Sequence, residues 1–501
     1  MEHFPVISLL IAIPFISSMI IGALVKNSVD PHTILYSKYV AVMSSVFTLF
    51  TSIVTLLTFN INNNKKHNIY KFQEYYEFLP IIGLDIELGL DGISIFFIFL
   101  AALLTLISIV ISMYSVSKNI KEFLVCFLLL ESFIIGAFAS TNLLLFYIFF
   151  EAILIPIFLI IGIAGGKNRV YASTKLFIYT FFGSVFFMAV LVYLFLEFGT
   201  LSMPQIQKLA KDLPYNIQLY LWIGAFIAFG IKIPVIPFHT WLPDAHVEAP
   251  TSGSVMLAGL LLKVGAYGFI RILLQIFPQI SFDYAEFVRI ISIIAIIYGS
   301  FVAISQTNMK KMVAYSSIAH MGYVTSAIFS FNNEGLSGAI TQMISHGIIS
   351  PALFIIVGFL YDRIHTKEIS EYGGVSQKMP ILSVFFMIFT LASIGLPGTS
   401  GFVGEFTSLV GIYKSSIYAG IFSSLGVIVG AIYMLRLYRD TMLGEIKNQK
   451  IASLKDLTIR EIICLLPLAL LTIVIGLYPV ILTQFYDGEI SIILNQINSL
   501  K

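Results

Sequence analysis

The stretch FYIFFEAILIPIF, residues 146–158, places one carboxylate, Glu151, inside an otherwise apolar run. A charged side chain at the centre of a membrane helix costs about 2.5–3.5 kcal/mol on insertion scales, so such residues are rare and usually functional. Pro156 has no backbone N–H to donate to the carbonyl of Ala152 one turn earlier. The segment therefore predicts a membrane helix that is weakened beside an acid.

The composition of the whole chain indicates a membrane protein. The sequence is 58% hydrophobic and only 11% charged, with a mean hydropathy of +0.93, whereas a soluble protein carries about 25% charged residues. The net charge of +2 and the lack of a Lys/Arg-rich block give no reason to expect a nucleic-acid partner. Cys126 and Cys464 lie in apolar runs and are interpreted as packing residues. We predict an all-α polytopic protein in a lipid bilayer.

Apolar runs bounded by polar turns predict about 14 transmembrane helices, since a run of about 20 apolar residues crosses the bilayer core. The runs start near Pro5, Ile34, Ile93, Glu122, Asn142, Ser173, Ile217, Thr251, Phe287, Met312, Leu336, Pro380, Ile417 and Glu461. The longest polar insert is residues 60–78, so no soluble catalytic domain is expected. The first run is interpreted as a retained span because it lacks a basic flank and a small-residue cleavage site.

Basic residues are concentrated in the loops after odd-numbered spans. They include Lys38, Lys118, Lys175 and Lys310, while the even loops hold far fewer Lys and Arg. The positive-inside rule then places the odd loops in the cytoplasm or matrix. Both chain termini are therefore expected on the outer, periplasmic side.

Seven ionisable residues fall inside predicted spans: Glu131, Glu151, Lys232, Lys263, His320, His346 and Glu405. One such residue could be a hydrogen-bonded packing residue, but seven together favour a functional polar axis. Burial generally moves the pKa of a carboxylate up and that of an ammonium down, toward neutral pH. Acids and lysines of this kind are suited to taking up and releasing protons, so the pattern predicts a proton relay.

Two of these residues lie next to predicted helix breaks. Lys232 precedes Pro234 and Pro237, and Glu405 follows Pro397 and Gly398. Interrupted helices at membrane depth occur where they line a wet cavity or an ion site. Spans seven and twelve are therefore predicted to be discontinuous, and their separation of five spans is consistent with two related five-helix units.

Other kinds of site are poorly supported. The residues His239, Asp244, His246 and Glu248 do not match a metal-site spacing, so no metal is expected. Ser252 and Ser254 lack the motif of a serine protease, and nothing beyond geometry favours haem ligation by His320 and His346. Neither a Rossmann fingerprint nor a P-loop is present, so binding of NADH or hydrolysis of ATP by this chain is not expected.

Several of these segments resemble one known family. HTWLPDAHVEAPTSGSVMLAGLLLKVGAYG, residues 239–268, resembles the signature of the proton-conducting subunits of respiratory complex I and their Mrp-antiporter relatives. The stretches at 143–158, 309–324, 342–347 and 396–406 extend the resemblance over most of the chain. LDIELGLDGISIFF, residues 84–97, favours complex I over the alternative, a D-type subunit of an Mrp Na⁺/H⁺ antiporter. An inert scaffold is the remaining alternative.

The resemblance implies a fold of 14 helices with two inverted five-helix repeats. The expected division is 1–120 for helices 1–3, 121–275 and 285–442 for the two repeats, and 443–501 for the last loop and helix. It implies that Glu151 and Lys232 form an input-side pair and that Lys263 is the central relay. It assigns Glu405, which stands where the L and N subunits usually carry a lysine, to the exit side. His320 and His346 match histidines on the same axis, and Glu131 matches a less uniform acidic position.

The resemblance also implies a role within a larger assembly. The chain would be a proton-translocating subunit of an NADH–quinone oxidoreductase, with no redox centre of its own. FMN, iron–sulfur clusters, NADH and quinone would be bound by partner subunits, and the membrane neighbours would be the antiporter-like L and N subunits. The location would be the cytoplasmic membrane of a bacterium or the mitochondrial inner membrane.

Overall fold

A computed structural model describes residues 4–24, 31–59, 70–116, 118–446 and 448–498. The N-terminal part contains α1 (Val6–Leu24), α2 (Pro31–Thr58), strands β1 (Lys71–Leu79) and β2 (Leu84–Leu90), and α3 (Ser94–Ser115). The next elements are α4 (Ile120–Ala139), α5 (Leu143–Ala152), α6 (Leu154–Ala164), α7 (Arg169–Phe198), α8 (Met203–Leu209), α9 (Tyr215–Lys232) and α10 (Trp241–Glu248). One continuous rod then comprises α11 (Thr251–Met256), a π-helical segment (Leu257–Leu261), α12 (Leu262–Gly268) and a second π-helical segment (Phe269–Leu274).

The second half of the chain is also helical. It contains α13 (Pro278–Asp283), α14 (Ala285–Ser305), α15 (Met309–Ile328), α16 (Asn333–Ile364), α17 (Pro380–Ser393), α18 (Ser400–Ser415), α19 (Ile417–Met442), α20 (Gln449–Ala452), α21 (Ile459–Leu477) and α22 (Val480–Asn498). Short 3₁₀ turns occupy Pro80–Ile82, Ala210–Asp212, Ile369–Glu371 and Val375–Gln377. Several helices start at a side-chain cap, as at Asn142, whose Oδ1 accepts the N–H groups of Leu144 and Leu145 at 2.9 and 3.1 Å.

Eleven of the described helices are long and apolar enough to cross a membrane. Three expected spans fall outside this set. In α9, Asn216, Gln218 and Lys232 lower the hydropathy, and in α15 two adjacent lysines and His320 do so. The span expected from Pro380 is divided into the shorter helices α17 and α18. The prediction of a polytopic helical membrane protein is confirmed at this coarser level.

Two helical rods form the centre of the molecule. The rod Thr251–Leu274 and helix α16 are fully buried along their apolar windows, whereas α7 and α14 expose much of their surface. The central rods carry Lys263 and His346 respectively. The buried position of these two groups therefore follows from the packing of the whole bundle around them.

The predicted breaks at spans seven and twelve are present. Helix α9 ends at Lys232, and the chain is irregular until α10 begins at Trp241. Val235 donates to the carbonyl of Gly230 at 2.7 Å and so takes up one of the groups that Pro234 leaves free. Between α17 and α18, Gly395 and Gly398 adopt φ of +75° and +92°, which side chains disfavour.

Some details differ from the expectation of an all-α chain. Strands β1 and β2 form an antiparallel hairpin within and after the long polar insert, because alternating residues such as those of KFQEYYEFL favour an extended chain. The further helix α22 follows span fourteen. Its acidic and polar residues interrupt the apolar run, so the hydropathy pattern does not predict it as a span. Ser499, a residue of the predicted outer terminus, lies outside the described residues.

Three lysines assigned to cytoplasmic loops are not loop residues. Lys38 lies in α2, where its Nζ donates to the Met113 carbonyl at 2.9 Å, and Lys175 lies in α7 and pairs with Asp244 at 2.7 Å. Lys310 is buried in the first turn of α15. Long lysine stems let a charge near a helix end reach a partner inside the protein. The basic bias that set the orientation is therefore weaker than the sequence count indicates.

Candidate functional site

Lys263 and His346 form a direct contact at the centre of the molecule. Lys263 Nζ lies 2.7 Å from His346 Nδ1 and also donates to the carbonyl of Ala258, in the π-helical segment just before it. Lys263 is completely buried and His346 is 4% exposed. A π-helical turn shifts the register of the backbone carbonyls and is often found at functional sites. The structure thus joins two of the seven predicted residues.

Close packing of small residues makes this contact possible. A Cβ placed on Gly347 would lie 3.0 Å from the Gly259 carbonyl oxygen and 3.7 Å from Lys263 Cε. A Cβ on Gly259 would lie 3.2 Å from Pro351 Cγ and 2.3 Å from Leu104 Cδ1. Larger residues would separate the two central rods, so these glycines set the distance between Lys263 and His346.

Two further predicted residues, His320 and Glu405, lie next to His346. The two imidazole rings have centroids 5.6 Å apart, and His320 Nδ1 lies 3.9 Å from a Glu405 carboxylate oxygen. Gln342 Nε2 lies 3.4 Å from the same His320 nitrogen. All four groups of the string Lys263–His346–His320–Glu405 are at most 8% exposed.

A small cavity lies along this part of the string. Its volume is about 10 Å³, and its lining includes His320, His346, Gln342 and Glu405. A cavity needs about 10–15 Å³ to hold one water molecule, and that water needs two to four polar partners. The cavity thus has room for about one water between the two histidines and the acid.

Glycines also bring Glu405 to this position. Helix α18 packs along α16, and a Cβ on Gly404 would lie 2.5–2.7 Å from Gln342 atoms. A Cβ on Gly338 would meet the backbone of Ser408 at 2.3 Å. The two backbones therefore approach closely, and Glu405 faces the interior of the bundle.

Glu151 and Lys232 are neighbours but do not form a contact ion pair among the described residues. Lys232 Nζ donates to the Phe150 carbonyl at 2.8 Å and lies 3.3 Å from the centre of the Phe150 ring. The Glu151 carboxylate is half-buried, its charge interacts with that of Lys232, and Ser184 lies beside it. The helix is interrupted at Ile153, between α5 and α6. The predicted weakening is thus present, and the lysine uses the Phe150 carbonyl rather than that of Ala152.

Lys232 and Lys263 lie on packed elements without a described hydrogen bond between them. The backbone and ring of Phe229 and the side chain of Ile233 would contact a Cβ on Gly265 or Gly268. Helix α9 is thereby held against α12. The two halves of the predicted axis are adjacent, and a proton needs a bridging group to pass from one to the other.

Glu131 forms no described hydrogen bond or ion pair with the other predicted residues. It is completely buried in α4, and neither of its carboxylate oxygens has a hydrogen-bond partner among the described residues. The structure does not connect Glu131 to the Lys263–His346–His320–Glu405 string.

Two buried groups next to the string were missed as site residues. Lys310 Nζ donates to the Ala249 carbonyl at 2.8 Å and lies 3.4 Å from Ser254 Oγ. His246 is completely buried, its ring stacks on Phe354 with centroids 4.4 Å apart, and its ring nitrogens have no hydrogen-bond partner among the described residues. Lys310 and Lys311 are adjacent at the start of α15, and such a basic pair is typical of an exposed loop, so the sequence does not indicate that Lys310 is buried.

The polar residues of the FHTWLPDAHVEAP segment point to separate partners. His239 packs on Tyr298, with centroids 5.1 Å apart, and Asp244 pairs with Lys175 at 2.7 Å. Glu248 accepts the Asn168 N–H at 2.9 Å. Within the described chain, no group of three or more His, Cys, Asp or Glu side chains is arranged to hold a metal.

The arrangement is suited to moving protons rather than to binding a small substrate. Lys263 and both histidines combine donors and acceptors in a low-dielectric core, where hydrogen bonds and charges act strongly. His346 Nε2 and one Glu151 oxygen have no described partner. Such open positions let a group gain or lose a proton by a small movement.

Comparison with known proteins gives consistent matches over the whole chain. The family described as NADH:quinone oxidoreductase/Mrp antiporter, TM, matches residues 140–432. NADH-quinone oxidoreductase subunit M of Rickettsia bellii (strain RML369-C) is 55% identical over 96% of this chain and 96% of that protein. NADH-ubiquinone oxidoreductase chain 4 of Marchantia polymorpha is 40% identical over 96% and 95%. A chain of respiratory complex I from Thermus thermophilus, solved with bound NADH, is 28% identical with a TM-score of 0.87, over 99% of this chain and 100% of that one.

Proposed function

Because the chain belongs to the NADH:quinone oxidoreductase/Mrp antiporter family of transmembrane proteins, we propose that its buried lysine, histidine and glutamate side chains carry protons through the membrane. The chain is a membrane subunit of a proton-translocating NADH–quinone oxidoreductase, of the type called M in bacteria and chain 4 in mitochondria. The Mrp alternative is less supported, since these complex I relatives are 55% and 40% identical to the chain over almost its full length.

The contact between Lys263 and His346 carries the proposal. A protonated Lys263 donates to Nδ1 of a neutral His346, which releases a proton from Nε2 toward the cavity shared with His320 and Glu405. Among the described residues, the ring nitrogens of His346 and His320 bond to Lys263 and Gln342 and not to each other, so in this proposal a water in the cavity completes the path. Glu405 is the last acceptor of this string.

Glu151 and Lys232 act on the input side in this proposal. With Lys232 bound to the Phe150 carbonyl, Glu151 forms no ion pair among the described residues. A movement of Lys232 to Glu151 stabilises the carboxylate and releases a proton toward Lys263. The interrupted helices on both sides make such a movement possible. Glu131 serves as a further acid on this axis.

The finer architecture is part of the same proposal. We expect 14 spans, with inverted five-helix repeats over 121–275 and 285–442, flanked by 1–120 and 443–501. Both termini lie on the outer side. Breaks at equivalent places in α9–α10 and α17–α18 support the repeat.

The partners follow from the type of complex. The chain works with other subunits of respiratory complex I in a bacterial or mitochondrial membrane. In our proposal the immediate neighbours are the antiporter-like L and N subunits. FMN, iron–sulfur clusters, NADH and quinone are bound by partner subunits, and this chain supplies the proton path.

The test uses variants of Lys263 in the assembled complex. Lys263→Ala removes the central group, so proton uptake per assembled complex is expected to fall by about tenfold or more. Lys263→Arg is also impaired, because arginine stays protonated and cannot cycle. The measurement is NADH–quinone turnover with proton uptake in inverted vesicles, with exposed Lys208→Ala as the matched control.

The outcomes separate the alternatives. Normal pumping by Lys263→Ala would leave the string as an inert scaffold. Sodium-dependent proton exchange without co-purifying flavin and iron–sulfur subunits would favour an Mrp antiporter.

A further inference from the structure

An apolar cleft of about 370 Å³ lies between α2, α3, α16, α21 and α22, away from the proton string. Its inner lining includes Phe96, Leu100, Ile344, Ile348, Leu482 and Phe485. Two further lining residues, Leu57 and Val474, are 79% and 44% exposed. Since α2 and α21 are membrane spans, the cleft opens on the lipid-facing surface.

The cleft reaches from the end of the membrane spans toward the centre. Phe59 and Phe485, with ring centroids 5.6 Å apart, lie at the end where α2 stops. At the deep end, Leu100 Cδ2 would lie 2.6 Å from a Cβ on Gly347, and Lys263 Cε would lie 3.7 Å from the same point. One layer of side chains therefore separates the deep end from Lys263.

Water is a poor occupant of this space. The volume is far above the ~10–15 Å³ that one water needs, but a bound water also needs two to four polar partners. The lining residues are apolar apart from Gln484, which is exposed at the rim. A hydrocarbon chain satisfies such a lining without losing hydrogen bonds.

A lysine side chain, that of Lys71, lies at the rim of the cleft. Lys71 Nζ is 4.3 Å from the centre of the Phe59 ring, and Phe59 lines the cleft. This Nζ is shielded from solvent and has no hydrogen-bond acceptor among the described residues. Burial lowers the pKa of Lys71, although the charge of Glu489 opposes this shift. A phosphate oxygen at this place would supply the missing acceptor.

We propose that the cleft binds one acyl chain of a phospholipid whose phosphate contacts Lys71. The lipid enters between Leu57 and Val474, and its chain ends beside Leu100. It thereby fills a gap in the wall that separates Lys263 from the bilayer. Because the cleft shares no residue with the Lys263–His346–His320–Glu405 string, this binding is independent of the proposed proton path.

The test is photolabelling of the assembled complex with a phosphatidylglycerol that carries a diazirine at the end of one acyl chain. Peptide mapping is expected to find label on α3 and α16 near Leu100 and Ile344. Val474→Trp blocks the opening and should reduce this label at least severalfold. Leu470→Trp is the matched control, since Leu470 is an exposed residue one turn away on the same helix and does not line the cleft.

The headgroup contact is tested separately. Lys71→Gln should lower the label at the cleft severalfold. Lys208→Gln should not, because Lys208 is an exposed lysine of α8 that does not line the cleft, and it is expected on the same side of the membrane. Equal labelling of the Val474→Trp and Leu470→Trp complexes, or displacement of the label by a long-chain quinone but not by unlabelled phospholipid, would overturn the proposal. Label that is unchanged in Lys71→Gln would overturn the phosphate contact, and crosslinks from the cleft to a partner subunit would show that protein fills it.

Discussion

Lys232 bonds to a peptide carbonyl while an acid of opposite charge lies beside it. Its Nζ donates to the Phe150 carbonyl at 2.8 Å, and the adjacent Glu151 keeps one oxygen without a described partner. Moving one charge through the membrane potential involves about 2.3 kcal/mol per 100 mV, which one to two pKa units can match. In the proposed relay, a switch of Lys232 between the Phe150 carbonyl and the Glu151 carboxylate has to supply a change of this size.

Glu151→Gln is expected to leave the complex assembled and to reduce both proton translocation and energy-coupled quinone reduction strongly. Glutamine keeps the size and hydrogen bonding of the side chain but cannot ionise. Glu151→Asp should retain part of both activities. NADH–quinone turnover and proton uptake in vesicles, normalised to assembled complex, give the result, with exposed Glu197→Gln as the control. Wild-type pumping by Glu151→Gln would make this residue a structural polar group.

The broken elements depend on local backbone chemistry. Between α17 and α18, Gly398 has φ of +92°, and the nearest atom to an added Cβ is Leu477 Cδ2 at 3.7 Å. Space is therefore available there, and a substitution is opposed mainly by the backbone conformation. The break lies directly before α18, the helix that carries Glu405.

Gly398→Ala is expected to destabilise the assembled complex by about 1–2 kcal/mol, because a side chain disfavours positive φ. Pumping should fall more than assembly if the shape of the break positions Glu405. Thermal inactivation of the purified complex and proton uptake in vesicles are the measurements. Gly162→Ala in α6, where a Cβ would meet nothing within 4 Å, should be neutral or slightly stabilising. Equal effects of both variants would show that the conformation at Gly398 is not needed.

At the level of the whole molecule, a buried charge cluster joins three distant parts of the chain. Arg271, in the second π-helical segment, pairs with Asp91 at the end of the hairpin and lies 3.4 Å from Glu489 in α22. Glu489 also accepts the Gly92 N–H at 2.5 Å. This cluster fixes the rod that carries Lys263 against the hairpin and the last helix.

Arg271→Ala is expected to cost about 3–5 kcal/mol and to impair assembly, because it leaves two buried acids without their cation. The amount of intact complex after mild-detergent purification measures this effect. Arg439→Ala, which removes an exposed pair with Asp440, should change assembly little. Normal assembly of Arg271→Ala would mean that the cluster does not hold the three parts together.

The orientation of the whole chain can be tested by cysteine labelling. Cysteines at exposed Lys118 and Thr307 should react with an impermeant maleimide from the cytoplasmic side, and one at exposed Asp212 from the outer side. The native Cys126 and Cys464 are buried and should stay unlabelled. Labelling of Asp212 and Lys118 from the same side would contradict the predicted order of spans.

The sequence by itself determined the features that depend on local chemistry. Long apolar runs predict membrane helices because the bilayer sets their length, and Pro234, Pro397 and Gly398 predict the breaks because they alter backbone bonding. An ionisable residue in such a run is visible at once, so all seven candidate site residues could be named. Arg271 also lies in an apolar run, so the same argument predicts that it has a buried partner.

Only the tertiary structure decided which of these residues meet. Lys263 contacts His346, 83 residues away, because glycines let two fully buried rods approach closely. The same packing left Glu131 without a described hydrogen-bond partner, buried Lys310 and directed Lys232 to the Phe150 carbonyl. Such pairings depend on the relative position of helices that are distant in the chain, and the local pattern of residues along one helix does not contain that information.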